Sequence, residues 1–333
     1  MRLFFAAAGV LRAGMLAAAV SASAQPPKEL LVQVNAALQA GEADKAIALL
    51  YSLPQSGSGM AEAQNLECRV RFTLQQWDEA AAKCERAVRL DGQNSAYRLW
   101  LGRALGERAN RASFLSAYSL AKRVRSEFEE AVRLNPRNVE ALSDLGEFYF
   151  SAPGILGGGA SKAEEVAVRL DKLDAARAHE LRGRIAVSQK DFGTAEREYK
   201  QAVSVGAHPA YQWVTLANFY RQRERWTEME SAVHSAVNAA ERDKRAGVAL
   251  YDGASVLTRT RRDPALAAKM LEEYLAGSAK SEDAPAFVAH TRLARLKQQL
   301  GDTAAANRER ALALSLAHEY RPAQDSRLQE TKH

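Results

Sequence analysis

The sequence predicts an all-α fold, a right-handed α-solenoid of about eight antiparallel helix pairs stacked in chain order. Three observations carry that expectation. Residues of like type recur every 34 positions, a period that marks stacked repeats. Within each period, small and apolar residues fall at three- and four-residue spacings in two runs separated by a turn. The composition suits helices, with aromatics at 7% and only 9 prolines and 20 glycines in 333 residues. A single core rarely grows past about 250–300 residues. A stacked array has no such ceiling, because each unit buries its apolar face against its neighbours.

The chain opens on a segment that is set apart from the array. Arg2 and Arg12 precede an apolar run from Ala13 to Val20, and Ala22-Ser23-Ala24 supplies an A-x-A site. That is the pattern of a cleaved export signal over residues 1–24. The run is too short for the ~20 apolar residues that span a bilayer. No later stretch is apolar enough to span, so no integral membrane segment is expected after signal removal. The expected location is periplasmic or secreted. Cleavage removes two arginines and no acids from 46 basic and 40 acidic residues, leaving a formal charge of +4. So mild a charge gives no case for a nucleic-acid partner.

The array is expected over 25–320. Gln33-Val34 steps to Glu67-Cys68 and to Leu101-Gly102, while Ala46 and Leu50 step to Ala80 and Cys84. Further on, Gly183, Ala195, Tyr199 and Ala202 step to Ala217, Met229, Val233 and Ala236. The units fall near 28–60, 61–94, 95–138, 139–175, 176–209, 210–244, 245–283 and 284–320. Turn residues separate the helices of a pair at Gly41-Glu42, Gln76-Trp77-Asp78, Asp191-Phe192-Gly193 and Gly301-Asp302. Asp263-Pro264 places a capping residue before a proline at the first helical position. Two units are irregular. The third carries about ten extra residues within 106–122, and the fourth has a glycine-rich stretch over 151–161. Both read as loops, which in repeat proteins gather on one face. The polar, aperiodic stretch 321–333 reads as a disordered tail.

No catalytic or metal-binding pattern is complete along the chain. Gly154 and Gly159 have phosphate-loop spacing, but Ala160 stands where the phosphate-reaching lysine belongs. His179, His208, His234, His290, His318 and His333 form no paired metal spacing, and Cys68 and Cys84 are not C-x2-C. Neighbouring acids such as Glu164-Glu165 diverge on a helix rather than share a proton. The basic group Arg259-Arg261-Arg262 reads as a complement to a helix C-terminus. No enzyme, metal or cofactor is therefore expected.

The units resemble tetratricopeptide repeats, whose pattern is W-x2-L-G-x2-Y, then A-x3-F, then P. Trp213, Leu216, Ala217 and Tyr220 match the first box, with Ala for Gly; Leu145-Gly146 with Tyr149 and Leu101-Gly102 match it without the tryptophan. Ala80-x3-Cys84 and Ala195-x3-Tyr199 match the second box, and Pro136 closes a unit. The resemblance implies a superhelix whose concave surface holds proteins or peptides. It implies a non-catalytic scaffold or adaptor of the cell envelope; the alternative is a solute-binding or transport-accessory protein that takes a small molecule.

Carried onto this chain, the groove positions are Asn65, Arg69, Arg103, Glu147, Arg184, Asn218 and Arg221. Four arginines against one acid suggest an acidic or carboxylate-ended peptide partner. In the same boxes Cys68 takes the place of Gly and Cys84 that of Phe, so both face the helix–helix contact. They form either a disulfide, which an oxidising compartment would favour, or two buried thiols.

Overall fold

A computed structural model describes residues 27–54 and 59–325. Every element among them is helical, and the helices run as consecutive antiparallel pairs. The pairs are α1 (Pro27–Ala40) with α2 (Ala43–Tyr51), α3 (Met60–Thr73) with α4 (Trp77–Leu90), and α5 (Ser95–Ala109) with α6 (Phe114–Leu134). They continue as α7 (Val139–Ser151) with α8 (Ala160–Leu170), α9 (Ala175–Ser188) with α10 (Phe192–Val205), and α11 (Pro209–Gln222) with α12 (Trp226–Arg242). The last two are α13 (Val248–Thr260) with α14 (Pro264–Ala276), and α15 (Ala286–Gln299) with α16 (Thr303–Leu316). A short helix, α17 (Arg321–Gln324), follows.

Each hairpin is started and stopped by local chemistry. Asn94, Asn138, Asp174, Asp191, Asp263 and Asp302 each accept a backbone N–H of the helix they precede, which satisfies donors that have no intrahelical partner. In several hairpins the turn places one residue in the left-handed region. Gly41 and Gly301 fill it at φ +75° and +83°, but Gln75, Lys190 and Glu224 fill it at 62°, 63° and 55°. Close approach of paired helices explains the small residue of the first box. A Cβ on Gly183 would lie 2.6 Å from the Tyr199 ring, so any larger residue would push the pair apart. Cys68 and Cys84 sit in the same kind of contact and form a disulfide between α3 and α4, with Cα atoms 5.2 Å apart.

Two expectations meet a different outcome. The excess over 106–122 makes no long loop; it lengthens α6 to 21 residues against 14 in α4 and leaves Phe114 and Leu115 exposed at its tip. The glycine-rich stretch is the inter-helix loop that the sequence leads one to expect, and hydrogen bonds hold it in place. Gly159 N–H donates to the Tyr149 carbonyl at 2.7 Å, and Arg125 Nη1 reaches the Leu156 carbonyl at 2.9 Å. The start of the expected tail is ordered, because Ala323 is buried and the Arg310 guanidinium holds the Ala323 and Gln324 carbonyls. Residues 1–24 and 326–333 lie outside the described residues.

The array closes on itself. Apolar residues of the first hairpin and of α3, from Leu31 to Val70, belong to the same buried cluster as Phe287, Leu293 and Tyr320 near the other end. Gly41 abuts the start of α15 so tightly that a Cβ would lie 2.2 Å from the Ala286 nitrogen. Polar contacts cross the same seam. Glu282 accepts from Gln39 Nε2 at 3.0 Å and from Arg69 Nε at 2.9 Å, Glu319 from Arg71 and Gln76 at 2.8 Å, and Asp44 pairs with His318 at 2.8 Å. No described helix is long and apolar enough to cross a membrane.

Candidate functional site

First helices of successive hairpins wall the inside of this ring, and the groove positions named from sequence divide into three groups there. Asn65 is packed in the core at 3% exposure, and its Nδ2 has no partner. Arg69 is committed to the seam, with its guanidinium on Glu282 and 5.4 Å above the Trp100 ring. Arg103 faces the interior but is bound to Asp144 at 2.6 Å and Glu140 at 3.1 Å. Burial pushes the Asp144 carboxyl up even though the Arg103 guanidinium pulls the other way.

The remaining four come together. Glu147, Arg184, Asn218 and Arg221 line one cavity of about 410 Å³ between α7, α9 and α11. Arg184 pairs with Glu147, and Arg221 Nε donates to Asn218 Oδ1 at 3.3 Å. Arg184, Thr215, Asn218 and Arg259 are shared with a larger cavity of about 790 Å³ walled by α9, α11, α13 and α15. A third space of about 450 Å³ lies beside Trp100, Arg103, Asp144 and Phe148, and Asp283 borders both it and the largest one.

Paired helices, first-box small residues against second-box rings and stacked first helices together decide the architecture. The fold is that of a tetratricopeptide-repeat solenoid. No family model matches the chain. Its similarities are partial. It is 28% identical over 131 residues to mouse Superkiller complex protein 3, which amounts to 38% of this chain and 8% of that protein. A thermophilic TPR protein of Thermus thermophilus is 21% identical, covering 59% of this chain and 98% of that one, with a TM-score of 0.47. MamA is 16% identical, covering 53% of this chain and 95% of its own, with a TM-score of 0.33. The chain thus spans a small fraction of the curated protein it matches.

Several residues of the largest cavity were not singled out by sequence. Glu180 is buried and accepts only long bonds, from Gln212 Nε2 at 3.2 Å and Thr215 Oγ1 at 3.5 Å. Burial pushes its carboxyl up, against the pull of Arg177 and Arg184. Burial likewise raises Asp252 to about 6, with Arg292 opposing and Asp283 reinforcing, and it raises Asp283, with Glu282 adding to the effect. One signal could have marked Asp252: it is the only charged residue in an otherwise apolar and small-residue run from Val248 to Leu257. Glu180 had less to show: it stands beside His179 near the start of a helix with no motif around the two, and His179 itself pairs with Glu198 at 2.7 Å.

Proposed function

We propose that this protein is a non-catalytic scaffold of the cell envelope that holds an acidic or carboxylate-ended peptide segment along the inner face of its helical ring. The observation that carries the reading is the meeting of Glu147, Arg184, Asn218 and Arg221, from three successive hairpins, in one cavity that opens into a larger one. Asparagine suits an extended backbone, and the planar fork of arginine suits a carboxylate. Tetratricopeptide arrays use their concave surface for such ligands. Arg69 and Arg103 hold the ring and its lining together rather than stand free for a partner.

The test is capture from an envelope extract by the immobilised mature chain. An Arg184→Ala/Arg221→Ala double variant should lose most of the captured partner, and capture should weaken as salt rises. The thermal midpoint should barely move, because both side chains are partly solvated. Full capture by a folded double variant would place the binding surface elsewhere.

Location is supported by the A-x-A signal pattern and by the disulfide, since such bonds persist in oxidising compartments. Mass analysis of the native protein under non-reducing conditions should find a chain that begins at Gln25 and lacks two thiol hydrogens. An intact Met1 with free thiols would reject the export reading.

A further inference from the structure

The three most exposed large apolar side chains among the described residues stand on two adjacent hairpins, at the rim where the helices of a pair turn. Phe114 is 85% exposed and Leu115 80%, both at the start of α6, and Ile155 is 74% exposed in the loop between α7 and α8. That loop rests on α6, because Arg125 Nη1 holds the Leu156 carbonyl at 2.9 Å. Packing register explains why the first two stand clear. Phe128 of α6 meets Gly102 of α5 as Tyr199 of α10 meets Gly183 of α9. Yet α10 begins seven residues before its ring, at Phe192, whereas α6 begins fourteen before its own, at Phe114. The extra two turns carry the tip about 10 Å further out than in a regular hairpin.

The tip is graded along one face. Phe114, Tyr118 and Lys122 follow at four-residue steps, so they stack on the same side of the helix. An apolar ring at the end, a phenol behind it and a cation behind that follow the order in which a lipid interface changes from acyl chain to headgroup. The charge has the matching sign. Residues 108–125 hold five cations and no acid. Acids of neighbouring positions answer four of them: Asp78 meets Arg108, Glu107 meets Arg111, Glu85 meets Arg123 and Glu129 meets Arg125. Lys122 is exposed, lies 4.6 Å over the Tyr118 ring and has no ion pair among the described residues. Lys162, exposed at the start of α8, donates to the Gly157 carbonyl at 3.0 Å and has none either, while Glu165 stands a turn deeper along α8. A second copy of the chain is a poor occupant. A two-fold contact between tips would bring like charges together, and three side chains offer well under the roughly 800 Å² per partner of a stable interface. A lipid surface needs no matching shape, only the depth order and a negative sign.

We propose that the tip of the α5–α6 hairpin docks this protein on an anionic lipid surface, with Phe114 and Leu115 entering the boundary between headgroups and acyl chains and Lys122 on the lipid phosphates. Ile155 and Lys162 of the next hairpin widen the footprint. Ser113 makes no capping bond to the first turn of α6, whose N–H groups therefore also face the headgroups. The contact does not depend on the peptide groove, which lies on the inside of the ring.

Co-sedimentation of the chain beginning at Gln25 with vesicles tests the proposal. It should sediment with vesicles of phosphatidylcholine and phosphatidylglycerol, far less with phosphatidylcholine alone, and come off as salt rises. Phe114→Ser/Leu115→Ser should weaken that binding by about tenfold or more. Lys122→Ala should weaken it about fivefold, the share of one cation near such a surface. All three side chains are exposed, so thermal midpoints should stay where they are. A fluorophore on Leu115→Cys should brighten with the anionic vesicles; Cys68 and Cys84 are tied in their disulfide and leave it the one thiol to label. Failure of the parent chain to sediment overturns the proposal. So does undiminished binding of the double serine variant, or a fluorophore that stays dim on bound protein. A dimer in sedimentation velocity that the double serine variant splits would assign the tip to a second copy and overturn it as well.

Discussion

A carboxylate loses more than a carboxylic acid when water is taken away, and Asp252 sits where that difference is felt. Its ordinary value of 3.8 is raised to about 6 in the folded chain, chiefly by burial, with Asp283 adding and Arg292 and Arg259 opposing. The unfolded chain therefore releases this proton first as pH rises. Below about pH 4 the residue is neutral in both states and costs nothing. Between pH 4 and 6 the folded state falls behind, and above 6 the full penalty applies, about 3 kcal/mol at most. Asp252→Asn should therefore stabilise the protein at pH 7.5 and leave it unchanged near pH 4, as read from denaturant midpoints. A gap that stays constant with pH would show that the carboxylate is not destabilising. Sequence could place Asp252 on a first helix, but its isolation depends on which arginines lean toward it. That choice is made between helices more than thirty residues apart, and so was invisible. The same limit hid the pairing of Arg103 with Asp144 and of Arg184 with Glu147.

At the scale of the element, the 34-residue step was legible because packing enforces it. A bulky group of the second helix meets a small residue of the first, as Phe128 meets Gly102, Tyr199 meets Gly183 and Met270 meets Gly253. What the step could not foretell was the fate of extra residues. The stretch from Phe114 carries good helix formers, such as Leu115, Ala117, Leu120 and Ala121, so it continues α6 rather than looping out. The turns carry a cost that the period conceals. Lys190 occupies the slot that Gly41 and Gly301 fill elsewhere, exposed and at φ +63°. A left-handed L-residue costs roughly 1–2 kcal/mol, and a glycine returns part of that gain through its freer unfolded state. Lys190→Gly should thus stabilise the array by about 0.5–1 kcal/mol, measured as a shift in urea midpoint at constant slope. A loss of stability would mean that the Lys190 side chain contributes more than its backbone costs.

Closure belongs to the whole molecule, and no local pattern announces it. Each repeat adds a small rotation, and only their sum decides whether the first hairpin meets the last. Here it does, and the seam joins residues 213 to 274 positions apart. The consequence is mechanical. In an open solenoid the first hairpin would lean only on the second, and ends fray first. In this ring α1 and α2 are clasped from both sides, by α3 and by the segment around Glu282 and α15 to α17. Arg69 and Glu282 are the most enclosed ion pair across the seam, at 17% and 10% side-chain exposure. Removing Arg69 leaves Glu282 with only Gln39 and an uncompensated charge, a change that costs about 3 kcal/mol or more when a buried pair is broken. The apolar contacts of Phe287 and Tyr320 remain, so the loss should appear as local opening rather than collapse. In Arg69→Ala, amides of α1 and α2 should exchange with solvent one to two orders of magnitude faster, while those of α9 to α14 stay protected. The double variant Arg69→Ala/Glu282→Ala should recover part of the loss, because it removes the stranded carboxylate as well. Unchanged exchange in α1 and α2 would show that apolar packing alone closes the ring.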